Sequence, residues 1–192
     1  GCRRRENLIR DIDEEMYHKI MDNHEIDPEE AKETAKIVGL SAIKYGDRSN
    51  QASKDYVFDL DRFTSFEGNT GPYILYTSVR IKSNLNKYQQ AENSLEGISI
   101  HKAANDSEKA LMLEVSRFNS VMENAFDEIA PHKICSYIYD LANAFNRFYH
   151  ETSILSEEKE EQKASWIALL KLTRDVLEKC IDVLGFSAPE RM

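Results

Sequence analysis

Apolar residues recur at helical spacing along most of the chain. Ile9, Ile12, Met16 and Ile20 place one stripe on a segment from Glu6 to about Asn23, which predicts an amphipathic helix. Asp27-Pro28-Glu29-Glu30 then reads as a helix start. The aspartate can cap free backbone N–H groups, the proline loses no bond at the first helical position, and the acids meet the positive end of the helix dipole. That helix runs through Ala31, Ala35 and Val38 to about Tyr45, with Gly39 as its weak point. Further on, Leu111, Val115, Phe118, Met122, Ala125 and Ile129 predict one long helix. A second begins at Pro131 and carries Ile134, Ile138, Leu141, Phe145 and Phe148. A third carries Trp166, Leu169, Thr173, Val176, Cys180 and Leu184, and stops at Gly185 ahead of Pro189. Stripes of this width bury against one another, so the expected fold class is all-α, a helix bundle.

Two stretches break the pattern. Residues 46–72 are punctuated by Gly46, Gly68, Gly71 and Pro72 and lack helical periodicity. Tyr56-Val57-Phe58 reads as a short extended piece, and the aromatics Tyr56, Phe58, Phe63 and Phe66 predict an ordered, packed loop. A helix starts near Thr70-Gly71-Pro72 and runs to about Lys87, with Ile74, Ile81 and Leu85 on its inner face. Residues 88–106 are polar and read as a flexible link.

Composition narrows the function classes. The 192 residues suit one domain, or one domain with an arm. Net charge is −9, so general attraction to polyanions is not expected, and nucleic-acid binding would need a local patch and base contacts. Cys2, Cys135 and Cys180 are dispersed, which predicts reduced thiols rather than a disulfide framework or a zinc site. No apolar run approaches the roughly 18 residues of a membrane span. The start, Gly1-Cys2-Arg3-Arg4-Arg5, has Arg5 where an acylation signal wants Ser or Thr.

Enzyme signatures are missing. His18, His24, His101, His132 and His150 are scattered, and there is no phosphate-binding Gly-rich loop ending in Lys-Ser/Thr and no nucleophile elbow. The Gly68-Asn69-Thr70-Gly71 string lacks the strands of an RNA-clamping KH fold, and Glu157 to Lys163 reads as a solvated helix face. Two features carry more. Tyr73, Tyr76 and Arg80 lie at i, i+3 and i+7, one residue around the helix from the apolar stripe. Two rings and a guanidinium on one strip can stack unpaired bases and meet phosphate. The plainer alternative is that both tyrosines flank the core and show only their hydroxyls. Phe148-Tyr149-His150 poses the same choice: Phe148 belongs to the core stripe, leaving Arg147, Tyr149 and His150 at its edge, where they face either RNA or water.

Four ordered motifs resemble arginyl-tRNA synthetases. Ile37-Val38-Gly39-Leu40-Ser41-Ala42-Ile43-Lys44-Tyr45 is similar to the segment that opens that family's anticodon-binding domain. Asp55-Tyr56-Val57-Phe58-Asp59, with Phe66-Glu67-Gly68-Asn69-Thr70-Gly71-Pro72-Tyr73, Tyr76 and Arg80, resembles its most recognisable stretch outside the catalytic core. Ala130-Pro131-His132-Lys133, Tyr137-Ile138-Tyr139-Asp140-Leu141-Ala142 and Phe145-Asn146-Arg147-Phe148-Tyr149 resemble the next. Leu184-Gly185-Phe186 and Pro189-Glu190-Arg191-Met192 resemble the last.

The resemblance implies a DALR-type, anticodon-binding helical bundle of class I synthetases over residues 29–192, with one long ordered loop. Residues 1–28 would connect it to the catalytic domain. It implies a cytoplasmic module that grips the anticodon stem-loop of arginine tRNA and reads chiefly the middle base, a cytosine. On that pattern the loop carrying Phe63, Phe66, Asn69 and Thr70 packs beside the anticodon. Tyr73 and Tyr76, with Arg80, meet splayed bases. Arg147 and Tyr149 add a contact, and Arg191 and Met192, with its carboxylate, lie near the read base. The family's His-x-Gly-His string and Lys-rich signature loop are absent, so this chain alone should not aminoacylate tRNA; ATP, magnesium and arginine would bind the parent catalytic domain, and no cofactor is expected here. Neither membrane nor DNA is an expected partner. Two departures stand out: Leu75 occupies a position that is often Gln, and the DALR string survives only as Ala168-Leu169-Leu170-Lys171. The competing class is a helical protein-interaction module without RNA binding, which the acidic balance would also suit.

Overall fold

The computed structural model describes residues 5–23, 26–51, 54–55 and 57–192. Gly1 to Arg4, with Cys2, lie outside the described residues, as do His24 and Tyr56 of the expected extended piece. The described residues form α1 (Arg5–Asn23), α2 (Pro28–Arg48), α3 (Leu60–Phe63), α4 (Gly71–Gln90), α5 (Asp106–Ser116), α6 (Phe118–Asp127), α7 (Pro131–Glu151) and α8 (Glu160–Val183). A 3₁₀ turn, Ile154–Ser156, joins the last two.

Starts are set by local chemistry. The Asp27 carboxylate accepts from the N–H groups of Glu29 (3.0 Å) and Glu30 (3.4 Å), and Pro28 opens α2. The Thr70 hydroxyl accepts from Tyr73 N–H at 3.2 Å, and prolines also stand in the first turns of α4 and α7. At α5 the capping is reciprocal: Asn105 accepts from Glu108 N–H (2.8 Å), while the Glu108 carboxylate accepts from Ala104 N–H (2.6 Å).

The inner stripes meet in one core. α1 packs on α2, α2 on α4, and α4 against both α7 and α8; α5 and α6 cover another side of α7. The core positions expected on α7 and α8 are all buried. Cys135 and Cys180 sit among them as free thiols, and burial pushes each up to about 12.

Three expectations need correction. The helix expected from Leu111 to Ile129 is two helices. At Arg117 the backbone N–H turns back to Glu114 O (3.1 Å), tightening the turn and interrupting the helix; Val115 and Ala125 are buried while Phe118 and Met122 are only partly so. Ile129, expected on the stripe, is 87% exposed with φ of +51°. It occupies the left-handed position of a helix stop, with Ala130 N–H reaching back to Ala125 O at 2.8 Å. Gly185 fills the same role after α8, with φ of +80° and Phe186 N–H reaching Ile181 O.

The second correction concerns residues 88–106. α4 continues to Gln90, and the rest is a strap held on α8 rather than a free link. Lys171 donates to Leu95 O (3.3 Å), Ser165 accepts from His101 N–H (2.8 Å), and Leu95 and Ile98 pack on the core. Its polar composition hid those anchors. Third, residues 46–72, expected to lack helical periodicity, are partly helical: α2 reaches Arg48, α3 spans Leu60–Phe63 and α4 begins at Gly71. Of the aromatics expected to pack the loop, Phe63 is buried and Phe58 and Phe66 are half-buried, while Gln51, Lys54, Asp55 and Asp59 are exposed. Phe63 is buried against the Gly46 backbone and meets Phe58 edge-on at 4.8 Å, and Lys19 of α1 donates to Thr64 O at 3.2 Å. Val57, by contrast, is 89% exposed.

Candidate nucleic-acid interface

The flank of α4 that carries Tyr73, Tyr76 and Arg80 runs beside the flank of α7 that carries Tyr139, Asn143, Asn146 and Tyr149. The start of α4 is fixed closely. A Cβ on Gly71 would stand 2.3 Å from the Ser41 carbonyl oxygen, so α4 begins in backbone contact with α2. Thr70, itself buried, also donates to Ser65 O (2.6 Å), tying the preceding loop to the first turn.

The Arg80 guanidinium lies between two rings, 4.8 Å from the Tyr76 centroid and 4.9 Å from that of Tyr149. It donates to the Asn146 side-chain oxygen at 2.7 Å and to the Tyr76 hydroxyl at 3.0 Å. The Asn146 amide NH₂ donates in turn to the Tyr73 hydroxyl and to Thr77 Oγ1, both at 3.0 Å. Tyr73 passes its own proton to Asn143 Oδ1 at 2.7 Å and meets Tyr139 edge-on at 5.9 Å. Tyr149 stacks on Phe145 beneath it at 5.9 Å. Tyr73, Tyr76, Arg80 and Tyr149 are half-buried, and Asn143 is exposed. Burial pushes the Tyr73 phenol up, opposed by the Asn146 hydrogen bond, so it stays neutral and keeps its proton to donate.

The candidate residues therefore divide. Tyr73, Tyr76, Arg80 and Tyr149 form one aromatic strip around a cation. Arg147 is exposed on α7 and paired with Glu151 at 3.0 Å. Phe66 is half-buried against the core, and Asn69 is exposed with its side-chain oxygen accepting from the Tyr45 hydroxyl. Phe63 and Thr70 are buried and hold the loop. Arg191 is engaged in a forked pair with Glu30, and Met192 is only 9% exposed, so both belong to a tail anchored on the bundle. Leu75 is fully buried, so the departure from Gln changes core chemistry and removes no surface group. Tyr139, Asn143 and Asn146 escaped sequence reasoning. The available signal was their i, i+4, i+7 spacing and two asparagines, poor helix formers, inside a long helix. Among the described residues no group of three or more His, Cys, Asp or Glu could hold a metal ion, and no helix is long and apolar enough to cross a membrane.

The chain is an all-helical bundle among the described residues, and residues 74–192 match the DALR anticodon binding domain family. The arginine–tRNA ligase of Agathobacter rectalis is 59% identical over all of this chain and 34% of its own length. That of Alkaliphilus oremlandii is 53% identical over all of this chain and 32% of its own length. The arginyl-tRNA synthetase of Thermus thermophilus superposes with a TM-score of 0.86 at 26% identity, covering 97% of this chain and 32% of that one. That of Plasmodium falciparum gives 0.84, also at 26% identity, covering 98% and 34%. The chain belongs to the arginyl-tRNA synthetase family, as its anticodon-binding domain, and spans about a third of the length of the curated relatives it matches.

Proposed function

We propose that this chain selects arginine tRNA by its anticodon stem-loop, and that a catalytic domain outside the chain performs ATP-dependent aminoacylation with magnesium and arginine. The chain by itself is then inactive. The observation that carries this reading is the strip Tyr73–Tyr76–Tyr149 assembled around Arg80. Each ring that receives an unpaired base contributes about 1–3 kcal/mol. With net charge −9, stacking rather than general phosphate attraction must carry selection. Arg80 is held by two rings and two hydrogen bonds, so it fixes the rings as well as offering charge. Anticodon contact of this kind places the distant acceptor end against the reacting groups, which raises turnover as well as affinity. Tyr139, half-buried on the same flank, extends the strip.

A second reading rests on a separate feature. Phe126 (65% exposed), Ile129 and Val183 line a shallow apolar hollow of about 200 Å³ with Ala125, Pro131 and Ile134. That favours a protein-interaction module. Binding of the chain to an anticodon stem-loop RNA of arginine tRNA separates the two. Tyr73→Ala is expected to weaken binding about tenfold or more, and changing the middle anticodon base should weaken it comparably. Binding that ignores both changes, or no binding at all, refutes the RNA reading.

A further inference from the structure

We propose that Asn143 is a further RNA-binding residue, presenting its amide NH₂ to a hydrogen-bond acceptor on the anticodon loop, and that Arg80 sets this polarity through Asn146 and Tyr73. The inference rests on the anticodon-binding reading above. An asparagine amide can turn over and exchange its oxygen for its nitrogen, so an isolated Asn143 would be neutral as to what it recognises. Here the direction is dictated from one end. A guanidinium only donates. Arg80 therefore requires the oxygen of Asn146, 2.7 Å away, to face it. That leaves the Asn146 nitrogen to donate its two hydrogens to Thr77 Oγ1 and to the Tyr73 hydroxyl oxygen. Thr77 spends its own proton on the Tyr73 backbone carbonyl at 3.1 Å, so it cannot reverse the order. The half-buried Tyr73 phenol, already accepting from Asn146, places its proton on Asn143 Oδ1 at 2.7 Å. With its oxygen turned to Tyr73, Asn143 keeps its NH₂ without a protein partner, on an exposed side chain beside the tyrosine strip. Every link is a donor meeting an acceptor, and the chain of dipoles ends in two outward hydrogens.

The ligand chemistry follows. The group met by Asn143 is an acceptor: a ring nitrogen or carbonyl oxygen of a splayed base, or a phosphate oxygen. An exocyclic amino group would face two donors at the NH₂ and could be accepted only by the remaining lone pair of Oδ1, on the Tyr73 side.

Binding of an arginine anticodon stem-loop RNA to the full chain tests this, with wild type, Tyr73→Ala, Asn143→Ala and Asn143→Asp in parallel. Asn143→Ala is expected to weaken binding about tenfold. Asn143→Asp should weaken it more, because a carboxylate replaces the donor with a charged acceptor. Loops carrying single abasic sites or single methylphosphonate linkages identify the acceptor. On one of them the Asn143→Ala penalty should vanish: an abasic loop if a base is met, a methylphosphonate loop if a phosphate is. A penalty that persists on every altered loop means that the residue acts through structure, and overturns the proposal. So does unchanged binding by Asn143→Ala while Tyr73→Ala binds weakly, which leaves the anticodon reading standing. If Tyr73→Ala also binds like wild type, or wild type binds no loop, both fall. Arg80→Met tests the relay: Arg80 also supports the rings and offers charge, so the double variant with Asn143→Ala should still lose binding, but by less than the two single losses combined. Fully additive losses overturn the relay.

Discussion

Replacing Gly71 by alanine should be among the most damaging single-methyl additions in this protein. A Cβ there would lie 2.3 Å from the Ser41 carbonyl oxygen, 2.6 Å from its carbon and 3.0 Å from Ala42 N. These atoms are backbone in the middle of α2 and cannot rotate away. Ordinary van der Waals contact begins near 3.5 Å, so the helices must part by about 1 Å. Overpacking of a well-filled core typically costs ~1–3 kcal/mol, and a rigid neighbour places this case at about 3 kcal/mol. For a chain of this size each kcal/mol lowers the melting temperature by about 2–4 °C, so Gly71→Ala should melt about 6–12 °C below wild type. Gly68→Ala supplies the contrast. It has a φ of +81° and nothing within 4 Å, so its cost is conformational alone, about 1–2 kcal/mol. Thermal unfolding followed by far-ultraviolet circular dichroism compares the two. Because Tyr73 stands two residues after Gly71, the parted helix should also bind the stem-loop more weakly, whereas Gly68→Ala should leave the ring strip in place. A Gly71→Ala protein melting within about 2 °C of wild type would refute the claim that α2 and α4 meet backbone to backbone.

Two further outcomes follow from the helix ends and the tail. Ile129→Gly relieves a β-branched residue held in the left-handed region and 87% exposed. It should raise stability in urea unfolding by about 1 kcal/mol, and a loss instead would show that the side chain packs on something. The Glu30 carboxyl is held below its ordinary 4.5 by the hydrogen bond from Arg191. A depressed carboxyl adds stability that is complete above the ordinary value and is lost as pH falls through the depressed one. Glu30→Gln should therefore destabilise the chain slightly at neutral pH and remove part of the decline below pH 4.5; parallel pH profiles for both proteins would contradict that.

Much of the fold was legible because its helices are one-sided. Ile134 to Phe148 and Trp166 to Leu184 face the core as their spacing demanded, and Asp27-Pro28 and Thr70-Gly71-Pro72 start helices as their chemistry requires. Failures came where polar groups hold structure or a helix is interrupted. Arg117 keeps nearly helical backbone angles, φ −76° and ψ −9°, so apolar spacing passes through the break with little disturbance. The strap after α4 looked like a linker because its anchors are a backbone carbonyl and an N–H, which no side-chain pattern reveals. At the candidate site the tyrosines were visible as rings at the edge of a stripe. Their partners were not, because asparagines on a helix flank look like ordinary solvated residues until a second helix is laid beside them. Spacing also gave no sign that Arg191 would be tied down, since its partner Glu30 lies at the far end of the chain.

That last arrangement governs the order in which the molecule can be completed. Arg191 reaches Glu30 across 161 residues, Lys44 donates to the carbonyl of Gly185, and Lys82 pairs with both Glu178 and Glu190. On a ribosome adding about 5–20 residues per second, Glu30 waits about 8–32 s for its partner. During that interval α1 and α2 can pair locally, and α4 can dock on α2. The face that α8 will cover has no partner yet. Closure is therefore a late, long-range event, of the kind that slows folding and leaves apolar surface open meanwhile. The Arg191–Glu30 fork acts as a latch that can engage only after the helices have found one another.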